Sequence, residues 1–294
     1  MKTMKHIFLL LAILFVNLLP ITTNAQSSNL SHIDSSFTSS EVRIGIRYTS
    51  DYYYAGRADS TRVPYLSPSI GYFHKSGLYI RGRLSYLTAA NNGRVDRYIF
   101  SGGFNYFGKN FATGFSISEY IFNDLSYAIQ AEMNTYVSVF AGYDFNAAIV
   151  YLDAGIGFSE GSDVFLSAEI NKPIFAFANR LRISPAILIN IGSLRYYNEY
   201  YTMRSQATGE RKGKGRMPST TISTISEIES YEKFQVLDYE LDLALSYSMN
   251  DIRFYSSLTW TFPVNPSTIV SDKETYTEDL QNGFYWSMGI IWTL

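Results

Sequence analysis

Apolar and polar residues alternate along most of this chain, and the alternation continues to its C-terminus. In the last thirteen residues, 282–294, every second side chain is large and apolar, and those between are mostly small or polar. The apolar set is Phe284, Trp286, Met288, Ile290, Trp292 and Leu294. A period of two is the pattern of a β-strand, because successive side chains point to opposite faces. We therefore predict a C-terminal strand with one strongly apolar face.

The same alternation predicts eleven further strands, beginning near residue 41. The connections after strands two, four, six and ten are very short, and those after strands one, three, five, nine and eleven are longer. The connection after strand seven is the exception, because it is also short. An even number of strands, with short turns at one end and longer loops at the other, is typical of a transmembrane β-barrel. We predict an all-β fold, a transmembrane up-and-down antiparallel β-barrel of about twelve strands, closed by the C-terminal strand.

A soluble β-sandwich is the main alternative, because its strands alternate as well. In predicted strand ten, Asp238, Glu240 and Asp242 alternate strictly with leucine and tyrosine. In a sandwich these acids would face water and the apolar residues would face a second sheet, whereas in a barrel the acids would face the lumen. Nearly every predicted strand has an apolar face of this kind, which favours the barrel.

The N-terminal 25 residues have the features of a secretory signal peptide. Lys2 and Lys5 precede an unbroken apolar run at 7–15, and residues 23–25 form a cleavage site of small residues. A membrane-anchor helix is the alternative, but the run is shorter than the ~20 residues that a span needs. We predict a signal peptide at 1–25, a flexible periplasmic leader at 26–40 and an outer-membrane barrel at 41–294.

Composition narrows the possible functions. The chain has no cysteine and three histidines, so it offers no thiolate metal site and few bases for a nucleophile. Aromatic residues make up 16% of the chain, which suits the aromatic girdles of a membrane barrel. Without residues 1–25 it would have 22 basic and 26 acidic residues and no basic stripe. We expect no nucleic-acid partner, no metal and no cofactor.

Charged residues on the predicted inner face separate by sign along the chain. Strands one, three and four contribute a basic wall, Arg43, Arg47, Arg81, Arg83 and Arg97. Strands seven, eight and ten contribute an acidic wall, Asp153, Glu169, Asp238, Glu240 and Asp242. In a closed barrel of twelve strands the two walls would face one another. Their field would orient dipolar or zwitterionic solutes in a pore. Alternatively, ion pairs between the walls would close the lumen and stiffen the barrel.

The first predicted outer loop has three consecutive tyrosines close to an arginine: Tyr52, Tyr53, Tyr54 and Arg57. These side chains would stack on a sugar or an aromatic solute. Alternatively, they are rim aromatics at the level of the lipid headgroups.

Residues 50–79 resemble the opening of small outer-membrane porins of the TorF type. The similarity lies in Ser-Asp-Tyr-Tyr-Tyr-Ala-Gly-Arg at 50–57, Pro-Tyr-Leu-Ser-Pro at 64–68, and the aromatic strand and Ser-Gly-Leu-Tyr turn at 72–79. This chain has Ala55 and Gly56 where the family usually has Arg-Gly, and its arginine follows at position 57. The resemblance implies an outer-membrane barrel of a Gram-negative, Bacteroidota-like bacterium with a transport role.

Three other features of the sequence are candidate sites. His74 and Ser76 match the His-x-Ser pair by which outer-membrane phospholipases resemble one another, but they lie in a predicted periplasmic turn. The long loop at 195–233 contains a basic segment, 211–216, which suggests a plug, a lipopolysaccharide contact or a mobile surface loop. The acids of 271–279 match no calcium-binding loop.

Taken together, the sequence predicts a narrow channel for small polar or zwitterionic solutes. A non-conducting structural or surface-interaction barrel with an ion-paired lumen is the first alternative, and an outer-membrane lipid hydrolase is the second, although we expect no enzymatic activity. The expected partners are outer-membrane lipid, lipopolysaccharide, small solutes, and the barrel assembly machinery, which would bind the C-terminal strand.

Overall fold

A computed structural model describes residues 39–59, 61–89, 93–130, 133–197, 225–229, 233–271 and 275–294. The predicted signal peptide, all but the last two residues of the predicted leader, and most of the predicted long loop lie outside the described residues. No helix in the described ranges is both long enough and apolar enough to cross a membrane.

Twelve antiparallel strands form one closed sheet. They are β1 (Glu41–Thr49), β2 (Tyr65–Phe73), β3 (Leu78–Leu87), β4 (Arg94–Phe107), β5 (Phe111–Phe122), β6 (Thr135–Asp144), β7 (Ile149–Phe158), β8 (Ser162–Asn171), β9 (Leu181–Gly192), β10 (Gln235–Met249), β11 (Ile252–Pro263) and β12 (Gly283–Thr293). Each strand pairs with the next along the chain, and β12 pairs with both β11 and β1. Closure leaves no free sheet edge. The predicted barrel is confirmed, and the sandwich is excluded.

Additional short strands lie at the two ends of the barrel. Tyr53–Tyr54 pairs with Arg57–Ala58 inside the first loop, and Ile174–Ala176 pairs with the start of β9. A separate three-stranded sheet joins Thr268–Ser271 to Ile225–Glu229 and Thr275–Thr277. The two ends of the barrel differ in their connections, and we call them the turn end and the loop end. The turn end has the connections that follow even-numbered strands, which are short except for 172–180. The loop end has the others, of which 159–161 is short as well.

The outward side chains are apolar on nearly every strand. On β12, Phe284, Met288 and Trp292 are each about half exposed, whereas Tyr285 and Ser287 between them are buried. On β3, Ile80 is 66% exposed. A large exposed apolar surface is rare on a soluble protein, but it is the surface that a transmembrane barrel presents to lipid.

The tight turns depend on residues that tolerate a left-handed backbone. Gly77 ends the turn between β2 and β3 at φ +97°, and a Cβ there would lie 2.1 Å from the carbonyl oxygen of Asn105. Asn146 and Asn250 adopt φ of 64° and 53° in the turns after β6 and β10. Glycine and asparagine are the residues that occupy this region at least cost, which explains why these connections are short.

Two β-bulges change the direction of side chains at the loop end. The register shifts between Ser85 and Tyr86 of β3 opposite β4, and between Asn190 and Ile191 of β9 opposite β10. The apolar alternation of strand ten predicts that Leu237 faces outward with Tyr239 and Leu241. That prediction is wrong, because the second bulge places an extra residue in β10 and leaves Leu237 fully buried. A bulge sets two residues of one strand against one of its partner, so strict alternation fails there.

Candidate functional site

The structure places the five residues of the basic wall on the inner face of β1, β3 and β4. Arg43 and Arg81 lie in one row across the sheet, because both are paired with Gly71 of β2. Arg83 lies in the next row, next to Ser69. Arg47 and Arg97 belong to a third row, which runs through two hydrogen-bonded serines of β2 and β3. The basic wall therefore spans three consecutive rows of lumen-facing side chains.

The acidic wall has the same layered arrangement on the other side of the barrel. One row contains Asp153, Ser167, Asn190 and Asp238 on β7 to β10. The next row contains Glu169 and Glu240, which flank Leu188. Asp242 follows in the third row, where its Oδ1 accepts a hydrogen bond from the hydroxyl of Thr259, at 2.5 Å. Four of the five acidic side chains are buried, and Asp153 is half-buried.

Each wall is dominated by like charges. The charged groups that act on Arg83 include Arg81, Arg47 and Arg97. Within the described residues, neither Arg81 nor Arg83 has a hydrogen-bond or ion-pair partner, and both keep partial access to the lumen. Arg47 of the basic wall reaches the hydroxyl of Tyr255 on β11, at 3.2 Å, and its charge acts on Asp242 of the acidic wall.

Two arginines that we did not predict break the separation of charge at the turn end. Arg182 on β9 is buried, and its Nε donates to the hydroxyl of Ser184 at 3.0 Å. Arg253 on β11 donates to the hydroxyl of Ser248 at 3.3 Å. Both occupy inward positions between outward apolar residues, so the alternation used for the other strands would have identified them. Arg43 of the basic wall also pairs with Glu41 at this end. Opposite walls of one sign each are therefore a feature of the middle of the lumen.

The first loop folds into the barrel instead of lying at its rim. Tyr52 and Tyr54 are buried. The hydroxyl of Tyr52 donates to Oε1 of Gln130 at 2.6 Å, and the ring of Tyr54 packs edge-on against Tyr196 and Phe165, with centroids 4.8 and 5.7 Å away. The alternative that placed these tyrosines at the level of the lipid headgroups is wrong, because their apolar surface is used inside the barrel.

These tyrosines belong to a buried cluster at the loop end, which we call the loop plug. It also includes Val63, Tyr65, Leu87, Ala128, Ile129, Met133, Phe165, Leu194, Tyr196, Tyr197 and Leu237. The plug meets the basic wall, because the guanidinium of Arg97 lies 4.5 Å from the ring centroid of Tyr52. Tyr53 stacks on Tyr285 of β12, with centroids 5.3 Å apart. In this conformation the faces of the tyrosines are occupied by protein groups.

Arg57 joins several outer segments through a buried ion pair. Its Nε and Nη2 lie 3.2 and 3.3 Å from the two carboxylate oxygens of Glu278, and both side chains are almost fully buried. Arg57 also donates to the carbonyl oxygens of Leu237 and Asn265. Glu278 accepts from the hydroxyl of Tyr197 at 2.7 Å and from a backbone N–H of the last loop. A bidentate pair with these further hydrogen bonds holds its partners in a fixed geometry. We call this pair the clasp.

Two buried aspartates anchor other parts of the plug. Asp96, which lies at the β4 bulge, accepts hydrogen bonds from the hydroxyls of Tyr65 and Ser126 and pairs with Arg94. Asp163 accepts from the backbone N–H groups of Arg195 and Tyr196, at the start of a short helical turn. Carboxylates stabilise the N-terminal N–H groups of a helical turn, which have no partner within it.

The carboxylate of Asp51 stabilises the start of the first loop through hydrogen bonds. Its Oδ1 accepts from the backbone N–H groups of Tyr52 and Val63, at 2.9 and 2.8 Å. Burial raises the pKa of Asp51, although these two hydrogen bonds oppose the rise.

The remaining candidates from the sequence are His74 with Ser76 and the charged segments at 211–216 and 271–279. The Nδ1 atom of His74 lies 2.8 Å from Oγ of Ser76 in the turn between β2 and β3, where His74 is half-buried and Ser76 is exposed. Residues 211–216 lie outside the described residues, as do 272–274 of the last loop. Within the described residues, no group of three His, Cys, Asp or Glu side chains is arranged to hold a metal ion.

No protein-family model and no curated protein sequence matches the chain. Solved structures with a similar barrel include the KdgM porin, at 10% identity and a TM-score of 0.44, covering 85% of this chain and 98% of that one. The NanC porin has 7% identity and a TM-score of 0.44, covering 86% and 100%. LpxR from Salmonella typhimurium has 10% identity and a TM-score of 0.42, covering 85% and 99%.

Proposed function

We propose that this protein is an outer-membrane channel for small polar or zwitterionic solutes. The observation that carries the proposal is the lumen of a lipid-facing barrel with a basic wall on β1, β3 and β4 and an acidic wall on β7, β8 and β10. Opposed walls in a narrow, low-dielectric lumen create a transverse field. Such a field favours solutes that carry both charges, because each end is attracted to one wall.

The absence of described partners for two arginines of the basic wall supports this reading. Arg81 and Arg83 are not neutralised by other described residues, so they remain available to a solute. A lumen sealed by ion pairs would use its charges internally. The resemblance of residues 50–79 to porins of the TorF type agrees with a transport role, and the signal-like N-terminus agrees with export to the outer membrane.

A sealed structural barrel is the second candidate. The observation that favours it is the loop plug, which fills the loop end with buried aromatic side chains and is held by the clasp. If the plug is permanent, the charged lumen does not conduct. If the clasp opens, the same lumen becomes a pore, and the described conformation is its closed state.

Swelling of proteoliposomes in isosmotic solutes separates these candidates. We expect faster entry of glycine than of an uncharged solute of the same size, because the walls attract both ends of the zwitterion. The double variant Arg81→Gln/Arg83→Gln should lose this preference. Glu160→Gln is the matched control, since Glu160 is exposed in the connection between β7 and β8. If neither the folded wild type nor an Arg57→Ala variant swells faster than protein-free vesicles, the channel proposal fails.

A further inference from the structure

A small cavity lies against the acidic wall, directly below the loop plug. Its polar lining comes from Asp153, Ser167, Asn190, Glu240 and Tyr136, and Phe165 and Ala55 contribute apolar surface. Ala55 belongs to the first loop, so the folded loop completes the cavity. The volume is about 40 Å³. A water-sized group needs at least about 10–15 Å³ in this measure, so the cavity has room for about two or three non-hydrogen atoms.

Charges of its own sign act on the buried carboxylate of Glu240, which lines this cavity. Glu240 is 3% exposed, and the charges that act on it most strongly are Asp238, Asp242 and Glu169, all carboxylates. Burial of a carboxylate among like charges is costly unless a cation or a proton compensates it. A cation in the cavity would supply that compensation, because Glu240 lines it directly.

Buried oxygen atoms without a partner give independent support for a ligand that donates hydrogen bonds. Asp238 is fully buried, and its Oδ2 accepts from Thr261, but its Oδ1 has no hydrogen-bond partner among the described residues. Oδ2 of Asp242 has none either. The hydroxyl of Tyr285 is also buried without a partner, and the charges that act on it are those of Glu240, Asp242 and Asp238. The two aspartates flank Glu240 on β10 and do not line the cavity themselves, so the acidic wall next to the cavity has carboxylate oxygens that no described donor satisfies.

A primary ammonium group has the properties that this site lacks. It carries one positive charge, three donors and no acceptor, and it is small enough for the cavity. A coordinated metal ion fits less well, because the described residues offer no set of three ligands in a metal-binding arrangement. A guanidinium is too large for a space of two or three atoms.

We propose that the cavity binds the primary ammonium group of a small solute. Asp153 and Glu240 are its ion partners, and the oxygen atoms of Asn190 and Ser167 are further acceptors. The inference rests on the proposed function for the route by which a solute arrives, and it defines the cationic end of the zwitterion that the channel would prefer. Binding does not require conduction, so the two can be tested separately.

Isothermal titration calorimetry of the full-length folded protein in detergent provides the test, with methylammonium chloride as the probe at constant ionic strength. We expect saturable binding to the wild type, weakened tenfold or more by Glu240→Gln or Asp153→Asn, since a charge-assisted hydrogen bond is lost. Glu160→Gln should bind as the wild type does. Tetramethylammonium, which has no donor and is too large, should bind at least tenfold more weakly than methylammonium.

Several results would overturn the proposal. These are no saturable binding to the wild type, an equal affinity for sodium or tetramethylammonium, or an affinity that Glu160→Gln lowers as much as Glu240→Gln. Conductance of the same preparation distinguishes this failure from failure of the channel. A protein that binds methylammonium but does not conduct contradicts the proposed function alone, and one that conducts without binding contradicts this inference alone.

Discussion

At the scale of single residues, the clasp illustrates how a buried ion pair can hold a loop in one place. Arg57 and Glu278 are both satisfied by further hydrogen bonds, so neither charge is left without partners. Removal of one partner would leave the other charge buried without compensation. The cost of such a change is large, typically about 3–5 kcal/mol.

We therefore predict that Arg57→Ala releases the first loop from the barrel, at a cost of roughly 3–5 kcal/mol in the free energy of loop closure. Limited proteolysis of the folded protein should show faster cleavage between residues 50 and 64, while the strands stay protected. The double variant Arg57→Met/Glu278→Leu is the control, and it should restore much of the protection because no unpaired charge remains. Equal cleavage of wild type and Arg57→Ala would contradict a role for the clasp in closing the loop.

Some residues of the candidate site could be predicted from the sequence, and others could not. The ten charged wall residues could be assigned to the inner face, because each alternates with apolar neighbours. The tyrosines of the first loop could not be placed inside the barrel, because loop folding depends on distant contacts such as Tyr52 with Gln130. Nothing in residues 50–57 encodes that partner.

At the scale of elements, alternation and turn residues were sufficient to predict all twelve strands of the barrel. The bulges were not predictable, because a bulge depends on the register between two strands and not on the sequence of one. Leu237 shows the consequence. It fits the apolar alternation of β10, but the extra residue turns its side chain into the plug.

The bulge makes a testable distinction between two leucines of β10. Leu237→Ala should lower the free energy of unfolding in detergent by about 2–5 kcal/mol, because it removes buried apolar volume. Leu241→Ala should cost less, since Leu241 is 43% exposed on the outer face. Urea unfolding followed by tryptophan fluorescence measures both. Equal costs would indicate that Leu237 also faces outward, as plain alternation predicts.

At the scale of the whole molecule, closure of the sheet places the basic and the acidic residues on opposite sides of one lumen. On an open sheet the basic and acidic residues would lie side by side on one face. In a barrel they face each other across a lumen, so a pattern dispersed over 200 residues becomes a local field. The separation of charge was predictable from alternation and closure together, whereas the plug and the cavity beneath it depend on loop contacts that the sequence does not specify.

The proposed function requires that these walls govern ion passage through the barrel. The most direct measurement is single-channel recording in a planar bilayer, with the reversal potential determined in a salt gradient. We predict discrete conductance steps for the folded protein. The reversal potential should shift toward cation selectivity in the double variant Arg81→Glu/Arg83→Glu, because two positive charges of the lumen become negative. Absence of steps from a correctly folded barrel, or an unchanged reversal potential in the variant, would contradict the proposed channel function.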